Sequence, residues 1–359
     1  MTDQRRELVR RNCLEVLEGQ AERLAPLRKG HVFITGGTGF MGTWLAELLT
    51  CLNDQYAFGM RVALLSRQAQ SLRESAPHLA ARKDVALVEK DARELAELPE
   101  STSWLIHAAA SPDNRTHSSD PLETIDSIVG GTRAVMEAAA RLPELKRVLN
   151  VGSGLSCGAQ PLDWPGLPEH FAGHLDFSSA GACYAEAKRL AETLCAAFRN
   201  EHRMEIVTAR PFAFLGPYQL LSRPWAVNNF VRDGLLGGPI RIQGDGETVR
   251  SYMYPSDMAF WLLRILVDGK NGGVYNVGSP DGIKLKDLAV KIADSFSKRP
   301  KIEFGVLKGG APNTSRLVPD VSSARTALGL GLRTGLDTAI EYTLAWHRNA
   351  APGKIASTI

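Results

Sequence analysis

The 359-residue chain predicts an α/β fold: a doubly wound parallel sheet with a smaller, mixed α/β lobe at its C-terminal end. Three observations carry that expectation. Short, continuously apolar runs alternate with helical stretches from residue 31 to residue 209, the pattern of parallel strands buried on both faces. A glycine-rich turn joins the first such run to the first helical stretch. Beyond Pro211 the elements shorten and Gly and Pro become more frequent, which marks a change of architecture.

Taken in order, residues 4–27 read as a charged amphipathic helix, with Leu8, Leu14, Leu17 and Leu24 among Arg and Glu, ending near Pro26 and Lys29-Gly30. Such a helix is expected to pack on the edge of the domain. Strands are expected at His31–Thr35, Arg61–Ser66, Val85–Glu89, Trp104–Ala108, Arg147–Val151 and Glu205–Ala209, with helices at 43–53, 68–82, 121–141 and 181–201. The later elements are helices at 225–236, 255–268, 284–297, 321–328 and 335–348, with strands at 240–242 and 274–277. This divides the chain into a helical extension (1–29), a dinucleotide-binding domain (30–210) and a discontinuous substrate lobe (211–359) that can return a strand to the sheet. The lobe is expected over the carboxyl edge of the sheet, where open α/β sheets bind ligands.

With 44% hydrophobic and 23% charged residues, the composition is that of an ordinary globular protein. A net charge of +3 with interspersed basic residues argues against a nucleic-acid partner. No apolar run is long enough for a membrane span, no secretory h-region is visible, and the five cysteines form no C-x-x-C pair. A reduced, cytoplasmic protein is the expectation.

The turn Thr35-Gly36-Gly37-Thr38-Gly39-Phe40-Met41-Gly42 places glycines at 36, 39 and 42 between a strand and a helix. The early glycines permit a tight turn and close approach of a pyrophosphate, the last permits close helix–strand packing, and the helix N-terminus faces the phosphates. This is the arrangement of a Rossmann dinucleotide site, contacted through Gly36 and the run Thr38 to Gly42. The second strand ends at Ser66-Arg67 with no acid at the corner that meets the ribose, so an NADP cofactor is favoured over NAD. Asp91, followed by Ala92, stands where it can meet the adenine amino group. Ala108, Ala109 and Ala110 after the fourth strand offer small side chains beside a cofactor. No metal is expected: His170 and His174 have helical spacing but no third ligand.

Tyr184 and Lys188 are four residues apart, so in a helix they share one face at about 5–6 Å between Cβ atoms. An ammonium there favours the phenolate and is expected to lower the Tyr pKa, fitting it to exchange a proton with a hydroxyl or ketone.

These motifs together resemble the extended short-chain dehydrogenase/reductases, specifically the nucleotide-sugar epimerase/dehydratase family, from about residue 30 to residue 348. The family's TGGTGFxG turn stands at Thr35–Gly42, its HxAA segment at His107–Ala110, continuing as Ser111-Pro112, and its GT at Gly131-Thr132. Ser153 stands five residues before Gly158, and Arg210-Pro211, Gly216-Pro217, Gly244-Asp245-Gly246, Arg250 and Tyr275-Asn276-Val277-Gly278 match its distal motifs. Three positions depart from the pattern: Ile128 and Ala213 replace asparagines, and the V-Y-G ending reads Ser156-Cys157-Gly158.

The resemblance implies that Ser153, Tyr184 and Lys188 are catalytic. Tyr184 exchanges a proton with a sugar hydroxyl as hydride passes to or from nicotinamide, Lys188 also holds the nicotinamide ribose, and Ser153 bonds the reacting oxygen. It further implies cofactor contact through Pro211, substrate contact through Ser111, Gly154, Asn229 and Arg250, the last on the diphosphate, and a homodimer through two helices per subunit. The 4,6-dehydratases carry Asp-Glu after the catalytic Thr and the decarboxylases a Glu two residues after it; here these positions are Gly154 and Leu155. A 4-ketoreductase or epimerase of surface-polysaccharide or deoxysugar biosynthesis is therefore the expected enzyme. The alternatives are a dehydratase or decarboxylase using acids from elsewhere, such as the loop 159–182, which is read as a flexible cover over the sugar, and a non-catalytic dinucleotide-sensing or scaffold protein.

Overall fold

A computed structural model describes residues 1–111, 113–305 and 314–349. Pro112 and the chain end at 350–359, both part of the expectations above, lie outside the described residues. The strands are β1 (His31–Thr35), β2 (Arg61–Ser66), β3 (Val85–Glu89), β4 (Trp104–His107), β5 (Arg147–Val151), β6 (Ile206–Pro211), β7 (Ile240–Ile242), β8 (Val249–Arg250), β9 (Val274–Val277), β10 (Ile283–Lys284), β11 (Ile302–Phe304) and β12 (Arg316–Leu317). The helices are α1 (Asp3–Leu17), α2 (Phe40–Tyr56), α3 (Leu72–Ser75), α4 (Pro77–Ala80), α5 (Asn114–Ser119), α6 (Pro121–Ala139), α7 (Cys183–His202), α8 (Ala226–Leu235), α9 (Pro255–Asp268), α10 (Leu285–Asp294), α11 (Ser322–Leu328) and α12 (Leu336–Arg348).

Seven strands form one parallel sheet in the order β3-β2-β1-β4-β5-β6-β9. Their apolar runs are continuous because helices cover both faces. Along β1, Val32 and Ile34 enter a cluster with Trp44 and Leu45 of α2 and Trp261 and Leu262 of α9, while Phe33 points to the opposite cluster with Val135 and Met136 of α6. All seven carboxyl ends lie on one edge, so the segments following β1, β4, β5 and β6 converge there. Two small sheets, β10-β8-β12 and β11-β7, build the C-terminal lobe.

Two helical expectations fail for local reasons. The stretch 4–27 is helical only to Leu17; Gly19 takes a left-handed conformation (φ 66°), and a 3₁₀ turn follows at Ala21–Leu27. The stretch 68–82 is a 3₁₀ turn at Ala69–Ser71 and the one-turn helices α3 and α4. Pro77 disfavours the helical region for the residue before it; Ala76 sits at φ −140°, ψ 67°, and the helix breaks there. The N-terminal helix is integral to the sheet's cover: Leu8, Val9, Cys13, Val16 and Leu17 are buried in the cluster shared with α2 and α9, and the Tyr254 hydroxyl donates to Asn12 Oδ1 at 2.7 Å.

Candidate functional site

Two glycines of the turn after β1 are fixed by contact. At Gly36 (φ 69°) a Cβ would stand 2.6 Å from the Ala108 carbonyl oxygen, and at Gly42 it would stand 2.5 Å from the Gly36 oxygen. The turn is thus pressed on the strip that follows β4. Gly39 is the N-cap of the 17-residue helix α2 and no side chain caps it. Its first N–H groups and the positive end of its dipole are left for an anion. Thr38, Phe40 and Met41 flank this opening, and the cradle fits a dinucleotide pyrophosphate.

The alanine strip is held by a buried relay that sequence reading missed. Thr132 Oγ1 donates to Ile128 O at 2.6 Å, so it accepts from His107 Nε2 at 3.1 Å. His107 Nδ1 is then the acceptor from Thr35 Oγ1 at 2.8 Å, and Thr35 Oγ1 accepts the Ala108 and Ala109 N–H groups at 3.2 Å each. Burial, and then the charge of Lys188, push the His107 pKa down to about 3. A neutral imidazole with its hydrogen on Nε2 satisfies every partner.

At the expected ribose corner, Ser66 ends β2 and the Arg67 side chain is 64% exposed, with Nη1 3.8 Å from Glu123 Oε1. Asp91 is not free. Arg93 reaches it at 2.9 and 3.1 Å and bonds Glu123 and Asp126 at 2.8 and 2.6 Å. The Arg93 hydrogen bond holds the Asp91 carboxyl below its usual range. Ala92 is buried below Gly131 of α6. Arg93 is the hub of this corner, and its spacing gave no signal of that.

Ser153, Tyr184 and Lys188 meet at the end of β5. Ser153 caps the 3₁₀ turn Gly154–Cys157, its Oγ accepting the Leu155 N–H at 3.2 Å. Ser153 is the neighbour that draws the Tyr184 phenol down in pKa. Lys188 is buried and its Nζ donates to Val151 O, the last residue of β5, at 2.8 Å. The electrostatics correct the expectation of a lowered phenol. Burial pushes the Tyr184 pKa up, only Ser153 opposes it, and the burden falls on Lys188, driven down to about 8 by its own burial against the pull of Glu192.

A pH signature follows. Unfolded, Lys188 titrates near 10.4; folded, it titrates at about 8. Between those values the unfolded chain binds the extra proton, so this group makes stability rise with pH, by on the order of 3 kcal/mol. In Lys188→Met that rise is expected to vanish, as the difference between wild-type and variant unfolding free energies in urea from about pH 8 to about pH 10.5. A difference independent of pH would show that Lys188 keeps an ordinary pKa.

Two walls shape the space before this group. Gly154 lies against the Phe212 ring, where a Cβ would stand 2.7 Å from the ring carbons, so an acid at 154 has no room. Leu155 is 48% exposed and carries no proton. His117 of α5 stacks on the Tyr184 ring, another neighbour the sequence did not reveal. The loop 159–182 is no free cover over its first half. Leu167 exchanges backbone bonds with Val318 and Asp320 at 2.8 and 2.9 Å, Gln160 Oε1 accepts the Val318 N–H at 2.8 Å, and Asn276 Nδ2 donates to Leu167 O at 2.8 Å. Arg189, next to Lys188, ties both Ser156 O and Gly173 O at 2.6 and 2.7 Å. Phe177, 85% exposed, marks the stretch that stands most clear. Among the described residues no group of three or more His, Cys, Asp or Glu is placed to hold a metal.

In the lobe, Arg250 lies on β8 with Nη2 2.9 Å from Ser315 Oγ and Nη1 on the Val249 and Ser315 carbonyls at 2.8 and 3.2 Å. Asn229 lines a cavity of about 420 Å³ with Arg232, Arg241, Gln243, Glu303 and Phe304; Arg250 is not among its lining residues. Pro211 ends β6 beside Val277. Ser111 Oγ accepts the Asp113 N–H at 3.4 Å, and Asp113, paired with Arg115 and Arg223, bridges the two lobes.

A seven-stranded parallel sheet with an uncapped helix N-terminus behind a glycine cradle defines a dinucleotide-binding α/β protein of the Rossmann class. The chain belongs to the NAD dependent epimerase/dehydratase family, whose model matches residues 32–278. UDP-glucuronic acid decarboxylase 2 of Arabidopsis thaliana is 28% identical over 323 residues, covering 88% of this chain and 68% of the relative. The epimerase Mth375 of Methanothermobacter thermautotrophicus superposes with a TM-score of 0.78 at 22% identity, over 91% of this chain and 94% of that one. The Bordetella bronchiseptica enzyme WbmF in complex with NAD+ and UDP has a TM-score of 0.74 at 21% identity, over 93% and 96%. The two structures establish likeness of fold. No helix among the described residues is long and apolar enough to cross a membrane.

Proposed function

We propose that this chain moves a proton and a hydride equivalent at one carbinol carbon of a nucleotide-activated sugar, as a 4-ketoreductase or a 4-epimerase. One observation carries the reading: Ser153, Tyr184 and Lys188 converge at the end of β5, while the two following positions are a glycine walled by Phe212 and an exposed leucine. Tyr184 holds or gives the proton at its phenolic oxygen. Ser153 orients that oxygen and the sugar's and eases its proton's release, while buried Lys188, its Nζ on Val151 O, would hold the nicotinamide ribose. The dinucleotide, when bound, supplies the two-electron exchange. Gly36, Thr38, Gly39 and the strip Ala108–Ala110 would hold it. Arg67 is exposed at the ribose corner and favours a 2′-phosphate, hence NADP(H), although the family is named for NAD. Arg250 is suited by its planar fork to the substrate diphosphate. Exposed Leu122 and Ile125 on α6 and Leu190 on α7 support a homodimer through those two helices.

Decarboxylation is the second reading, favoured by the Arabidopsis relative. A 4-ketouronic acid is a β-keto acid and loses CO2 once its ketone is hydrogen-bonded, so Leu155 disfavours this route without closing it. The discriminating experiment is mass spectrometry of the cofactor retained through purification, followed by a panel of UDP-, dTDP-, GDP- and CDP-sugars including UDP-glucuronic acid. A ketoreductase is expected to consume NADPH in proportion to product; an epimerase keeps its cofactor and interconverts two sugars. Release of CO2 from UDP-glucuronic acid would replace the first reading by the second, and no turnover of any member with either cofactor would overturn both.

A further inference from the structure

We infer that His117 is a positioning residue for Tyr184, setting the place of its phenolic oxygen by ring stacking; the inference rests on the catalytic reading of Tyr184. The two rings lie 4.2 Å apart between centroids and 15° from parallel, a face-to-face stack closer than the roughly 4.5–7 Å usual for aromatic pairs. The imidazole is itself locked. Its Nε2 lies 2.8 Å from Ser111 O, and since a carbonyl only accepts, Nε2 carries the hydrogen. The Cys183 thiol, next to Tyr184, donates to His117 O at 3.5 Å. His117 N bonds Asp113 O at 3.2 Å, and Asp113 is clamped by Arg115 from its own segment and by Arg223 from the other lobe.

The geometry states what the stack does. Rotation of a tyrosine ring about its own long axis leaves the hydroxyl where it was. Only a swing about Cα–Cβ moves it, and a ring lying flat against the phenol bars that swing on one side. His117 therefore fixes the distance from the phenol oxygen to the sugar oxygen, with the imidazole plane set by the Ser111 carbonyl. Arg223, Asp113 and α5 join this device to the C-terminal lobe, so seating of the lobe and aim of the phenol are linked.

The test compares wild type, His117→Ala, His117→Phe and Tyr184→Phe in two measurements. In the first, the chain is labelled with fluorotyrosine and examined by fluorine NMR without ligand, the Tyr184 resonance being the one lost in Tyr184→Phe. It is expected to move in His117→Ala through loss of the ring current and to return towards its place in His117→Phe. An unmoved resonance in His117→Ala overturns the inference. In the second, single-turnover formation of NADH or NADPH is followed with UDP-glucose and UDP-glucuronic acid as probes. His117→Ala is expected to slow the step about 10- to 100-fold with half-saturation unchanged within about 3-fold, and His117→Phe to restore most of the rate. A His117→Ala chain as fast as wild type, or a Phe variant as slow as the Ala variant, overturns the inference. Should that happen with Tyr184→Phe silent, the catalytic reading stands alone; should Tyr184→Phe match wild type, both fall.

Discussion

Tyr184→Phe is expected to lower turnover about 10³-fold, the scale of a lost general acid–base group, with dinucleotide affinity unchanged. The phenyl ring keeps the stack on His117 and the buried packing, so only the hydroxyl that meets Ser153 is removed. The separation of effects matters more than the size. Lys188→Met, by contrast, empties a buried cationic position whose Nζ bonds Val151 O, and both turnover and dinucleotide binding are expected to fall. Isothermal titration with NADPH and NAD+, beside steady-state rates on the active sugar nucleotide, checks both. Equal loss of binding in the two variants would mean that Tyr184 serves the cofactor's site rather than the proton.

Gly36→Ala is expected to destabilise the chain by on the order of 3 kcal/mol, from the left-handed conformation and from overpacking. The added carbon would stand 2.6 Å from a backbone oxygen of the neighbouring strip, which no rotamer relieves. Gly59→Ala is the control: it has a similar φ of 66° but nothing within 4 Å of the added carbon, so only the conformational cost of about 1 kcal/mol applies. Urea unfolding with and without NADPH separates the two. The stabilisation given by cofactor should survive at position 59 and disappear at position 36. If both variants behaved alike, the close approach of the turn to Ala108 would be irrelevant to binding.

Strands β1, β2 and β5 and the edge strand β3 were legible residue for residue, since each is a short run rich in Val, Ile or Leu bounded by turns. Positions set by one local rule were equally legible: the turn at Gly36–Gly42 and the pairing of Tyr184 with Lys188 on one helix face. What escaped depends on contacts between distant segments. Gly154 reads as a missing acid, but its reason is the Phe212 ring after β6. His117 sits in a polar stretch without periodicity and meets Tyr184 only because α5 folds back beside α7. Arg93 looks like a surface charge until three carboxylates gather around it. The loop 159–182 looks free because its partners, Val318 and Asp320, come from near the end of the chain. Burial reversed the expected direction for Tyr184, and burial at one phenol cannot be read from helical spacing.

β9 carries a consequence for how the chain is made. It is the strand that pairs with β6 and ends the sheet, yet it is synthesised only after α8, α9 and the two short strands between them. Until Val277 has left the ribosome, β6 presents an open row of backbone donors and acceptors beside a nearly finished sheet, the kind of edge that recruits other chains. Truncation after Pro211 leaves that edge permanently uncovered. A chain cut there is expected to aggregate rather than to fold as a smaller cofactor-binding module, which light scattering of a 1–211 fragment checks, so the late arrival of β9 leaves the growing chain exposed to mispairing.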